Sequence, residues 1–481
     1  GEMFFDEEVD RECLLNFGGL RELKREAGYY YDEHRLELVR FLIELPDEIL
    51  PRAILEHIRV LELYGESALE DPGVLGGLPG LEQLRILKCT QLAGLERVGR
   101  LDGLEVLEID RCEEIELSGL EALSTLRTLR IDGCQIPDYE PVGALSGLES
   151  LELERNSGAT YYLRDLACSA ELTRLWLEWN DGQRIEDIER LKQCRELREL
   201  KLKGGISRGE LSKLDEVVGE LEQMRYLSLV ARGDAARQTD FISPDTLNSL
   251  ELLRKLRIYR CPLTSFTAFK ELGELEYLDL DFQREDARSR RCGSLVNLEG
   301  IGELQSRREL ELRHVELRDV TALEGHPALE QFLVVDASLE SLRGMSHVEN
   351  LEEIRIRRDD RLKSFEGLED LPNLETIYVR GAKALVSLDG LDEAEALRSL
   401  ELKSCPKVTD VLAVGRAPNL EKLRMYERDN IHFSNPSPPA RYLTREELEE
   451  YQDELRAELE RQEALAAEAR DPALSADRLR G

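Results

Sequence analysis

Apolar residues recur along this chain in one short phrase. Leu81-Glu-Gln-Leu84-Arg-Ile86-Leu-Lys-Cys89, Leu104-Glu-Val-Leu107-Glu-Ile109-Asp-Arg-Cys112 and Leu126-Arg-Thr-Leu129-Arg-Ile131-Asp-Gly-Cys134 all read L-x-x-L-x-L-x-x-C. The alternation inside the phrase predicts a short strand, its fourth and sixth residues pointing inward and its third, fifth and seventh outward. The frame starts at Ile58, Leu81, Leu104, Leu126, Leu148, Leu172, Leu197, Met224, Leu253, Leu275, Arg307, Leu329, Leu351, Leu374, Leu397 and Leu420. Those sixteen starts predict sixteen stacked rungs over residues 55–433. The eleventh is defective, with Arg307 where Leu belongs. One rung cannot bury its own apolar face, so the pattern predicts a single solenoid rather than several globular domains.

Behind each strand come further apolar positions, as in Leu92, Leu95, Val98 and Leu101. The chain thereby resembles the leucine-rich repeat family, in its short-repeat class. Leu388-Asp-Gly-Leu391 and Phe365-Glu-Gly-Leu368-Glu-Asp-Leu371-Pro-Asn-Leu374 match that class on the convex side. Internalins and the leucine-rich regulator of type-one protein phosphatase belong to it. The resemblance implies an α/β leucine-rich repeat solenoid with a curved parallel sheet on the concave face, short turns or 3₁₀ segments on the convex face, and protein binding on the concavity. The chain departs from the family pattern at 89, 112, 134, 261 and 405, which carry Cys where Asn is commoner. A Cys there turns inward and can bond loop backbone from rung to rung.

The ends break the pattern. Residues 1–54 carry apolar clusters without a repeat and read as an N-terminal cap. Residues 434–442 form a Pro-rich connector, and Thr444-Arg-Glu-Glu447 is a capping box opening a charged helix over 443–471. Its stripe of Leu448, Tyr451, Leu455 and Leu459 suits a cap over the last rung, a helix for a partner, or a linker. Residues 472–481 read as a disordered tail.

Composition then changes the picture in two ways. The 88 Leu among 481 residues are accounted for by the inward spine of the rungs. The formal charge of −35, from 100 acidic and 65 basic residues, argues against nucleic acid and anionic membranes as partners. The nine Cys show no C-x-x-C spacing, and Asn435-Pro436-Ser437 is blocked as a glycosylation site, which together point to a reducing, cytoplasmic setting. No phosphate-binding glycine loop, nucleophile elbow or metal-spaced Cys/His set occurs, so the expectation is a non-enzymatic chain with no cofactor and no metal.

The frame also exposes the outer face. Its seventh position runs Asp110, Asp132, Glu154, Glu178 in the early rungs and Arg313, Val335, Arg357, Arg380, Lys403 in the late ones. An acidic arm followed by a basic one is the expectation. Between them fall Trp176 and Trp179, then Tyr226, Tyr259 and Tyr277, aromatics that an inward core does not explain. Partner contact is therefore assigned to Trp176, Glu178, Trp179, Tyr226, Arg257, Tyr259, Tyr277, Asp281, Arg355, Arg357, Tyr378, Arg380, Lys403 and Arg424. Long repeats coincide with this zone. Their extra residues, 156–162, 203–213, 230–245 and 282–295, are expected to project as loops from one edge. The leading reading is an adaptor, inhibitor or regulator that binds an unidentified protein. A ligand-sensing arm of a larger receptor and a secreted adhesion module are the alternatives.

Overall fold

The computed structural model describes Phe4, Phe5 and most of 55–470. Outside the described residues lie 167–170, 233–241, 260–265, 283–294, 427–435, 437–442, 471–481 and a few intervals of one to three residues. So do nearly all of the expected cap and connector, the tail, and Cys13, Cys168, Cys261 and Cys292.

The chain divides into two compact units, Gly1–Thr246 and Leu247–Gly481. Rung strands of the first are β1 (Ile58–Tyr64), β2 (Gln83–Leu87), β3 (Val106–Asp110), β4 (Thr128–Asp132), β5 (Ser150–Gly158), β6 (Arg174–Trp179), β7 (Glu199–Gly205) and β8 (Tyr226–Arg232). The second holds β9 (Lys255–Tyr259), β10 (Tyr277–Asp281), β11 (Glu309–Arg313), β12 (Gln331–Val335), β13 (Glu353–Arg357), β14 (Thr376–Arg380), β15 (Ser399–Lys403) and β16 (Lys422–Tyr426). Within each unit every strand runs parallel to the next, like positions facing: Leu84 meets Leu107, Leu107 meets Leu129, and Ile356 meets Val379. This register sets the inward residues in continuous columns, and Leu84, Ile86, Leu107, Ile109, Ile356 and Val379 are fully buried. Each such side chain contributes about 1.5–3 kcal/mol over its exposed state, and only while the neighbouring rung covers it.

A recurrent turn closes many of the strands. There the eighth residue of the frame takes a left-handed conformation, with φ of 54° at Lys88 and His314 and 56° at Arg358. Its N–H reaches the next strand, as in Lys88 N to Asp110 O and His314 N to Val335 O, both 2.8 Å. The ninth residue then turns in. Cys89, Cys112, Cys134 and Cys405 are buried there, and the Cys134 and Cys405 thiols each reach a strand carbonyl at 3.4 Å. Where the ninth residue is Asn156, it accepts from Cys134 N at 2.9 Å and donates to Ile131 O at 2.8 Å. Asp359 accepts from the N–H groups of Leu339, Arg361 and Leu362, each at 2.8 Å. Burial raises the carboxyl of Asp359 above the usual carboxylate range.

Short 3₁₀ segments return the chain behind the sheet, among them Val98–Arg100 and Ile188–Gln193 in the first unit and Thr321–Leu323 and Leu412–Arg416 in the second. Gly390 shows why the tight convex turn requires glycine: with φ of 99°, a Cβ there would sit 2.3 Å from Phe365 O of the preceding rung.

Two inserts depart from expectation. Residues 156–162 do not project. They prolong β5 to Gly158 and place Tyr161 in the core, stacked on Tyr139 with ring centroids 4.8 Å apart. Residues 203–213 prolong β7 and then start a helix, α1 (Arg208–Gly219), where a loop was expected. Ser207 caps it by accepting from Glu210 N at 3.3 Å, and Leu214, Val217 and Val218 bury its inner face. Most of the other two inserts lie outside the described residues.

In the second unit, α2 (Arg445–Arg470) opens on a reciprocal capping box: Thr444 N donates to Glu447 Oε2 at 2.8 Å and Glu447 N to Thr444 Oγ1 at 3.3 Å. Leu448, Tyr451 and Leu455 are buried, the helix packing on the 3₁₀ segment Leu412–Arg416 that leads into the last strand. Gln452 Nε2 donates to Val414 O at 3.0 Å and Ala417 O at 2.8 Å, tying the helix to the end of that segment. Arg307 is fully buried at the defective position, and its three side-chain nitrogens have no hydrogen-bond partner among the described residues.

Candidate functional site

In the first unit the outer face of the sheet neutralises itself. Arg155 Nε donates to Asp132 Oδ1 at 2.8 Å, Lys203 bonds Glu178 at 2.7 Å, Lys201 pairs with Glu154, and Arg111 lies 3.5 Å from Asp110. The expected acidic arm is therefore an array of ion pairs. Trp176 is half-buried in it, 5.2 Å beneath the Arg174 guanidinium and 5.3 Å beneath the Lys201 ammonium. Its ring meets half-buried Tyr226 edge-on at 6.2 Å. Trp179 corrects the sequence reading. It is fully buried, donates from Nε1 to Gly205 O at 3.0 Å, and packs on Gly204, where any Cβ would fall within 2.4 Å of the indole. The physical reason lies in β5, whose Asn156 pairs with Trp179 beyond a register shift and so continues the inward column one residue further.

The second unit carries a denser network. Arg257 Nε donates to Asp279 Oδ2 at 2.7 Å, and its Nη2 to the Tyr277 hydroxyl at 2.8 Å. Arg313 lies 3.4 Å from Asp279, pairs with Glu311, and stands 5.9 Å over the Tyr259 ring. Burial raises the Asp279 carboxyl against the lowering pull of both arginines, and burial raises Glu311 as well. Tyr277 and Tyr259 are half-buried, and burial raises both phenols, which therefore stay protonated. Asp281 is buried, bonded to His314 Nδ1 at 2.8 Å, while His314 Nε2 lies 3.2 Å from Asp336. That removes Asp281 from the surface to which the sequence assigned it. A cavity of about 140 Å³ opens on this face, bordered by Tyr277, Glu309, Glu311, Leu333, Glu353 and Arg355.

Toward β16 the pairing thins. Arg355 is held by Glu353 at 2.6 Å. Arg357 and Arg380 are exposed and form no ion pair among the described residues, Arg357 lying 5.6 Å over half-buried Tyr378. Lys403 is their next register partner, and Arg424 faces Glu401 across β15 and β16.

Solved structures share this architecture. A leucine-rich repeat protein of Leptospira interrogans superposes with a TM-score of 0.52 at 19% identity, covering 74% of this chain and 92% of its own. An internalin of Listeria monocytogenes superposes at 0.54 with 17% identity, covering 72% of this chain and 95% of its own. The fold is the leucine-rich repeat fold. No protein-family model matches the sequence, and no curated protein does.

Within this leucine-rich repeat face, sequence reasoning missed His314, which bridges two aspartates; both lie at or next to a strand end of a neighbouring rung, a signal the frame contained. No described helix is long and apolar enough to cross a membrane. Among the described residues no group of three or more His, Cys, Asp or Glu is placed to hold a metal ion.

Proposed function

We propose that this chain is a non-enzymatic protein-binding scaffold, an adaptor, inhibitor or regulator, whose contact surface is the outer strand face of the second unit. One observation carries the reading. Arg357 and Arg380, side by side on that face, are exposed without an ion pair among the described residues, while the acids of the first unit's seventh column are compensated. Guanidinium groups beside an aromatic ring are typical interface anchors. Tyr378, Leu333 and the cavity beside Tyr277 supply the remaining relief. Trp176 and Tyr226 form a second patch on the first unit, already covered by their own cations. The buried thiols at 89, 112, 134, 194 and 405, none in a disulfide, support a reducing, cytoplasmic setting.

The test is site-specific photo-cross-linking in cells. A benzophenone side chain at Tyr378 is expected to capture a discrete partner, and one at convex Glu366 is not. Adducts from Glu366 with none from Tyr378 would reject the surface.

A further inference from the structure

We infer that the cavity bordered by Tyr277, Glu309, Glu311, Gln331, Leu333 and Glu353 receives one arginine side chain of a protein partner, a deepening that rests on the surface proposed above. Its rim comes from outward residues of four consecutive strands, β10 to β13, all within the second unit. Size limits the occupant. The cavity measures about 140 Å³, under half of the roughly 300 Å³ at which drug-sized sites begin and close to the roughly 150 Å³ that holds one benzene ring. It admits a single planar group.

Charge sets the sign of that group. Asp279 is held by Arg257 at 2.7 Å and lies 3.4 Å from Arg313, which also pairs with Glu311, while Arg355 holds Glu353 at 2.6 Å. Those acids and arginines cancel. Glu309 is left over, exposed and with no side-chain hydrogen bond or ion pair among the described residues. The cations around it are committed or distant. Arg308 pairs with Glu330 at 3.1 Å, Arg357 leans away over Tyr378 with 5.6 Å to the ring, and Lys255 stands two rungs off, about 9.6 Å along the sheet. One uncompensated carboxylate calls for a single positive charge. Among the described residues no group of three or more His, Cys, Asp or Glu is placed for a metal ion, which points to an organic cation.

Acceptor placement favours guanidinium over ammonium. Both Glu309 oxygens, Glu353 Oε2 and the Gln331 amide make no hydrogen bond among the described residues, and they sit on three adjacent strands. A flat fork of five donors spans such a set better than the compact charge of lysine. Tyr277 and Leu333 add an aromatic and an apolar wall. Burial raises the Glu311 carboxyl, and a guanidinium beside it offsets that cost. The formal charge of −35 draws a cationic side chain toward the chain.

Methyl NMR on the full chain, labelled at leucine, tests this with three probes: N-acetyl-arginine methylamide, its lysine analogue, and its citrulline analogue, which keeps the shape of arginine without the charge. The arginine probe is expected to shift the Leu333 methyls, to leave those of exposed Leu252 in place, and to half-saturate at about millimolar concentration. It should bind at least about threefold tighter than the lysine probe and at least about tenfold tighter than citrulline, and weaken as salt rises. Glu309→Gln, at an exposed site, is expected to cost at least about fivefold, with the Leu252 methyls unmoved as the check on folding. In the Tyr378 cross-linking experiment, saturating arginine probe is expected to cut the adduct at least about fivefold, and citrulline probe is not. Equal binding of the lysine or citrulline probe overturns the assignment, as does binding that survives Glu309→Gln. Self-association of the chain that Glu309→Gln dissolves would seat a second copy in the cavity and likewise overturns it. If the arginine probe fails while Tyr378 still cross-links a partner, the cavity falls and the surface stands; failure of the cross-link removes both.

Discussion

Arg307 is the residue at which the repeat and its environment disagree most. The frame places it at the head of a rung, and the structure duly buries it, with no hydrogen-bond partner for any side-chain nitrogen among the described residues. Burial pushes its guanidinium down to about 9. The folded chain thus releases this proton more readily than the unfolded one, whose arginine keeps its ordinary, higher value. The burial cost is whole below pH 9 and is relieved as pH climbs above it. Arg307→Met should therefore raise stability at pH 7 by about 1–4 kcal/mol, with the gain narrowing above pH 9. Urea midpoints at pH 7 and pH 10 measure both; a destabilised variant at pH 7 would count against the argument. Such inward positions were legible because period two assigns them without reference to neighbours. Trp179 was not, because its side is decided by Asn156 and Gly204 on other rungs.

Elements were legible to the extent that their signals were local. The capping box at Thr444 and Glu447 could be read directly, since both partners lie within one helical turn. Helix α1 was hidden by attention to repeat length. Ser207, Glu210 and the helical spacing of Leu214, Val217, Val218 and Leu221 carried the start signal and the buried stripe. The contact of α2 with its rung depends on sites distant in sequence, notably Leu455 against Gly415, where an added Cβ would stand 2.9 Å from that of Leu455. Leu455→Ala should cost about 2–5 kcal/mol. Hydrogen exchange is expected to quicken first in β16 and the Leu412–Arg416 turn, because each rung is stabilised by its neighbours. Uniform acceleration across the second unit would contradict this.

At the scale of the whole molecule, charge decides more than apolar content. The sequence assigned signs to columns but not partners, because pairs such as Lys201 with Glu154 skip a rung and Arg313 reaches Asp279 diagonally. The apparent acidic arm becomes a compensated array once its rungs stack. What remains is a formal excess of 35 negative charges, whose mutual repulsion acts over longer distances than the close pairs on the sheet. Raising NaCl from about 0.02 to about 0.5 M shortens the screening length from tens of ångströms to a few. Thermal midpoints should accordingly rise, by about 2–4 °C for each kcal/mol of repulsion relieved. A falling midpoint would mean that the exposed ion pairs outweigh the net charge.

The inward cysteines have a further consequence. Cys89, Cys112, Cys134 and Cys194 lie in the first unit and Cys405 in the second, all buried as thiols outside any disulfide. A thiol reagent can modify each one only when its own rung opens. The native chain is thus already fitted with a set of timers, and pulse labelling followed by peptide mapping would give the order in which its rungs come apart without altering a residue.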